Sequence, residues 1–113
     1  MSDMKELQDA VGDWGRFNFP DSDDRDRTLI ICEEAGELAH VILKQHQGIR
    51  PDSASDAHAQ DAMGDIVIAL MGLADARGWD LWEIVRDTSA RVLSRNYRVD
   101  EALAGAATQR DEA

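Results

Sequence analysis

The stretch from Ile31 to Val41, Ile-Cys-Glu-Glu-Ala-Gly-Glu-Leu-Ala-His-Val, sets three carboxylates into an apolar helical run. At about 100° per residue, Glu34 and Glu37 fall on one face with Ile30, Leu38 and Val41, the face that such a helix buries. An unpartnered carboxylate is costly to bury. Two on one apolar stripe therefore call for compensating positive charge. Mg²⁺ answers that need, because it prefers carboxylate oxygens and keeps room for water and phosphate.

A second acidic stretch matches the first. Asp61-Ala62-Met63-Gly64-Asp65-Ile66-Val67-Ile68-Ala69-Leu70 also turns from polar to apolar, and its i, i+4 spacing puts Asp61 and Asp65 on one helical face. Gly36 and Gly64 stand beside the two acid sets; a mid-helix glycine is unfavourable, so the pair predicts close helix approach there. The expectation is two antiparallel helices facing across a metal site. Glu33 lies about 100° round from Glu34, at the edge of such a site, where it suits orienting or deprotonating a water. Asp61 reads equally well as an ordinary acid in the first turn of its helix.

The chain has 113 residues and a formal net charge of −11. That length suits one small domain with a modest core, which small helical proteins often complete by oligomerising. The acidity argues against nucleic-acid or membrane-surface partners, which call for a basic face, and fits a protein that meets phosphate through cations. Cys32 is the only cysteine and sits in an apolar run like a small core residue. No basic-then-apolar leader pattern opens the sequence. The longest apolar run, Ile66 to Ala74, falls well below the ~20 residues of a bilayer span. The expectation is a soluble, cytoplasmic protein.

Helical periodicity extends along the chain, and alternating strand patterns are lacking. A first helix is predicted from Lys5 to about Phe17, with Leu7, Ala10, Val11 and Trp14 inward. Pro20 and the Asp21–Asp24 cluster then form a loop that caps a second helix from about Arg25 to Gln45. Gly48 and Pro51 end it. Ser53 or Ser55 opens a third helix reaching Arg77 and Gly78. Asp80 caps a fourth from Leu81 to about Arg95, with Leu81, Ile84, Val85, Thr88, Val92 and Leu93 inward. The fold class is all-α: a helical domain over 1–98, then a tail over 99–113, partly helical or disordered.

Further side chains qualify for binding. Lys44 lies on the Glu37 face two turns on, and Arg91 and Arg95 are one turn apart; with Arg50 and Arg98 they form a candidate phosphate-binding set, although charge pairing at helix C-termini explains them too. Trp14 and Phe19 precede the acidic helix and are candidates for stacking on a base. Glu37 and His40 have the Glu-x-x-His spacing of di-iron bundles, but the second such motif which that architecture needs is missing. His40, His46 and His58 read as surface or interface residues.

Glu33-Glu34-Ala35-Gly36-Glu37 followed by Gly64-Asp65-Ile66-Val67-Ile68 resembles the MazG-like, all-α nucleoside triphosphate pyrophosphohydrolases, whose signature is EExxE and then ExxD. Weaker likenesses lie at Asn18-Phe19-Pro20, at Lys44 to Arg50 and at Ser94-Arg95-Asn96-Tyr97-Arg98, so that the resemblance spans roughly residues 10–98. It implies a four- to five-helix bundle completed by a partner subunit in a homodimer or homotetramer. It also implies Mg²⁺-dependent cleavage of a (d)NTP or related nucleotide to the monophosphate and pyrophosphate, with Mn²⁺ as the alternative ion. Glu34, Glu37 and Asp65 match metal ligands, Glu33 matches the residue beside the attacking water, and Asn96 joins the substrate-binding set. The Glu of ExxD falls at Ala62; Asp61, one residue earlier, either supplies the oxygen or the site loses a ligand. In the second case a non-catalytic helical oligomer, binding nucleotide or protein as a regulatory module, becomes the alternative.

Overall fold

A computed structural model describes residues 3–98. Four helices follow in order: α1 (Asp3–Asn18), α2 (Asp24–Gln47), α3 (Asp56–Ala76) and α4 (Leu81–Leu93). The described residues are all-helical or loop, as the periodicity predicts, and none of their helices is long and apolar enough to cross a membrane. The expected tail over 99–113 lies outside the described residues. The chain divides into two compact units, Met1–Leu81 and Trp82–Ala113.

In the first unit, local chemistry sets the helix ends. Asp23 caps α2 in a reciprocal box: its carboxylate accepts the Asp26 N–H (2.9 Å), and the Asp26 carboxylate accepts the Asp23 N–H (3.3 Å). That backbone donor, with the Arg25 guanidinium second, holds the Asp23 carboxyl below its ordinary range. Gly48 closes α2 at φ 71°, a left-handed conformation that glycine adopts without strain. Of the two serines considered for the start of α3, it is Ser55 that caps it, accepting the His58 N–H at 3.2 Å.

The central α3 packs against both α2 and α1. Its antiparallel course along α2 is held at both ends, by Arg77 Nε on Asp24 Oδ2 (2.9 Å) and by Gln45 Nε2 on Asp56 Oδ1 (3.1 Å). The core is thin: Val41, Ala54, Ala62, Met71, Ala74 and Leu81 are its buried apolar side chains among the described residues.

Polar ties fasten α1 instead of the apolar stripe predicted for it. Leu7, Ala10 and Trp14 are exposed, while Gln8 and Gly12 are buried. The Gln8 amide donates to the Trp79 carbonyl (2.7 Å) and accepts the Leu81 N–H (2.9 Å), so it bridges the chain where α3 gives way to α4. A Cβ at Gly12 would lie 2.6 Å from Asp75 Oδ1 and closer still to Oδ2 and Cγ. The absence of a side chain lets the Asp75 carboxylate settle on α1, where the Arg16 guanidinium binds it.

This is the close approach that Gly36 and Gly64 were expected to provide; a Cβ at either of those meets nothing within 4 Å. Cys32 is exposed, not a core residue, because it lies on the side of α2 turned away from Val41. In α4, only Leu81 of the expected inward set is buried; Ile84, Val85, Thr88, Val92 and Leu93 are exposed.

Candidate functional site

The pairing of α2 with α3 brings the acids of both motifs to one groove. Glu34 and Glu37 from α2 and Asp61 and Asp65 from α3 line a trough of about 440 Å³. A larger cleft of about 710 Å³ adjoins it, lined by Trp14, Phe19, Ile30 and Ile68 with Glu33, Glu34 and Asp65. Glu34 and Asp65 belong to both, so they stand between an acidic compartment and an apolar one. Trp14 and Phe19 meet edge to face, 5.8 Å between centroids and 71° between planes, and form an aromatic wall of the cleft.

Electrostatics tie the five acids together. The Glu34 carboxyl is held above its ordinary value, first by desolvation and then by the charges of Asp65, Glu33, Glu37 and Asp61. Glu34 is half-buried beside Val41, whereas Glu37 and Asp65 are exposed; the fully buried acidic stripe expected from periodicity is an open trough.

Among the described residues no group of three or more His, Cys, Asp or Glu is drawn together tightly enough to hold a metal ion as the side chains stand. The donor set nevertheless fits a hard cation in its chemistry: the four trough carboxylates are oxygen ligands, and three of them, being exposed, have room to turn toward an ion that keeps some of its waters. Ala62 is buried in the trough wall, and Asp61 lines the same trough beside it.

The proposed phosphate ligands of the first unit are not drawn in. Lys44 donates to Gln47 Oε1 at 3.1 Å on its own helix, and neither it nor Arg50, which follows α2 at φ 53°, lines the trough or the cleft. Arg91, Arg95 and Asn96 belong to the second unit; there Arg95 Nη1 reaches the Tyr97 hydroxyl at 3.5 Å and Asn96 Oδ1 accepts the Arg98 N–H at 3.2 Å.

The cations at the cleft are instead Arg16 and Arg27, which sequence reasoning passed over. Arg16 binds Asp13 and Asp75, and Arg27 reaches Asp24 at 3.3 Å. The available signal was spacing, since Arg27 precedes Glu34 by two helical turns on one face. His40 and His58, read from the sequence as surface or interface residues, also line the trough. The place of His40 follows from the trough running along the flank of α2, where it stands one turn beyond Glu37. Set against protein-family models, curated proteins and solved structures, the chain matches none of them.

Proposed function

We propose that the chain is a MazG-like, Mg²⁺-dependent pyrophosphohydrolase that splits a (d)NTP or related nucleotide into the monophosphate and pyrophosphate. The observation carrying this reading is the grouping of Glu34, Glu37, Asp61 and Asp65 along one trough, with Glu33 beside Glu34 at the wall of the adjoining aromatic cleft. Glu34, Glu37 and Asp65 would hold the ion, with Asp61 in place of the glutamate absent at Ala62; Mn²⁺ is the alternative. When bound, the ion offsets triphosphate charge and polarises the attacked phosphorus.

The remaining work falls to this chain's side chains. Glu33, facing the cleft beside Glu34, positions a water and takes its proton. Trp14 and Phe19 stack on the base. Lys44 and Arg50 are assigned to the phosphates from their places in the sequence, and Arg16 and Arg27 join them by position at the cleft. The same resemblance makes the protein a cytoplasmic homodimer or homotetramer.

Pyrophosphate release from a panel of (d)NTPs tests the reading. Release with Mg²⁺, abolished in Glu37→Gln with helical circular dichroism retained, supports it; no release from any member refutes it. The buried Ala62 and the looseness of the acid set favour one other reading, a regulatory module that binds nucleotide without turnover. Calorimetric binding without pyrophosphate release identifies that case.

A further inference from the structure

The side of α2 turned away from α3 is apolar from Leu29 to Leu43. Leu29, Cys32, Gly36, Ala39 and Leu43 follow one another at spacings of three and four, the pattern by which one helix seats against another. Thr28, Ala35 and Ile42 flank them. All eight are exposed, Leu29 at 65% and Leu43 at 49%. In a chain of which 31% is charged, this stripe carries no charge from Leu29 to Leu43, and Arg25 stands in line with it one turn before Leu29.

The stripe is also symmetric about its centre. Leu29 lies seven residues before Gly36 and Leu43 seven after; Cys32 lies four before and Ala39 three after. From Leu29 to Leu43 it runs about 21 Å. We infer that α2 pairs antiparallel with α2 of a second copy across a two-fold axis at Gly36. Leu29 then meets Leu43 of the partner subunit, Cys32 meets Ala39 of the partner subunit, and the two glycines let the backbones approach.

Charge at the edge agrees with this pairing. Glu33 and His40 lie along one edge of the stripe, and the same axis sets Glu33 against His40 of the partner subunit, a carboxylate facing an imidazole, twice by symmetry. Energetics point the same way: among the described residues three of the six buried apolar side chains are alanines, a core that small domains supplement by association. With −11 on each chain, two copies repel in general, so an uncharged contact face is required. The inference gives a face to the oligomer proposed above. Its test reads mass, so its failure leaves the catalytic reading untouched.

Sedimentation equilibrium of the full chain is expected to give twice the 12.5 kDa chain mass, or a higher even multiple. L29K and L43E each halve that mass with helicity kept, since both leucines are exposed. L29K/L43E regains it, because the introduced charges face each other across the axis, whereas L29K/L43K does not. Under mild oxidation A39C cross-links through Cys32 of the partner subunit, and the wild type, its two cysteines well apart, does not. A 12.5 kDa wild type, an oligomer indifferent to L29K, no rescue by L29K/L43E, or a wild-type Cys32 cross-link each overturns the pairing.

Discussion

Gly12→Ala is expected to destabilise the protein, although alanine is the better helix former. In the interior of α1 the substitution alone would gain about 0.5–1 kcal/mol. The added Cβ, however, lands inside the Asp75 carboxylate, 2.6 Å from Oδ1 and nearer to its other atoms. Asp75 is a short side chain, 13% exposed and held by Arg16, so it cannot step aside without turning about χ1 and releasing that partner. Overpacking of this kind costs typically about 1–3 kcal/mol. At mid-range the net loss is about 1 kcal/mol, or roughly 4–8 °C in Tm for a domain of this size. Thermal melts followed by far-ultraviolet circular dichroism measure it.

The control is the same change in an Asp75→Ala background. There the clash is gone and Gly12→Ala raises Tm, so the sign inverts between backgrounds. An increase in the wild-type background, or the same shift in both, would refute the argument that Gly12 exists to seat Asp75.

Three further outcomes follow from the site and its supports. Glu34→Gln stabilises the protein at neutral pH, since a carboxyl whose folded pKa is raised above its ordinary 4.5 favours folding only when protonated; the stability gap between variant and wild type closes as pH falls through the folded value and is gone below 4.5, whereas a gap that widens on acidification contradicts the shift. Gln8→Leu strands the buried Leu81 N–H and removes the donor to the Trp79 carbonyl, at about 1–3 kcal/mol for the buried N–H left unpaired, and urea unfolding is expected to show the lowered midpoint. Ala62→Glu adds a carboxylate to a buried position in the acidic trough; its Tm drops in chelator and recovers with Mg²⁺ by more than the wild type gains, and an equal response of the two proteins would count against a cation there.

How far the sequence foretold this arrangement depended on how local the controlling physics is. Helix ends were legible because capping is decided by a few adjacent atoms: the Asp21–Asp24 cluster, which holds the Asp23 cap, and Gly48 stood out as start and stop signals. The grouping of Glu34, Glu37, Asp61 and Asp65 was legible because helical spacing fixes each face and an antiparallel pair aligns the two. Burial was not, since periodicity says which side chains share a face and not how much protein covers it. Glu37 and Asp65 therefore turned out exposed, and so did Ile84 and Val85 in α4.

The docking of α1 was hidden for a different reason. It relies on a glutamine and a glycine, types that carry no hydrophobic signal, meeting a carbonyl, an amide and a carboxylate more than sixty positions away. Gly36 was misread because a glycine marks a close approach without naming the neighbour: here its bare side faces outward from α2.

The central claim, that carboxylates of α2 and α3 act together on a divalent ion, is tested most directly by titrating Mn²⁺ into the protein and counting free ion by electron paramagnetic resonance. The account predicts a saturable site that Mg²⁺ displaces, lost in Glu34→Gln and in Asp65→Asn with helicity unchanged. Ion uptake that is absent, or the same in wild type and both variants, would contradict it.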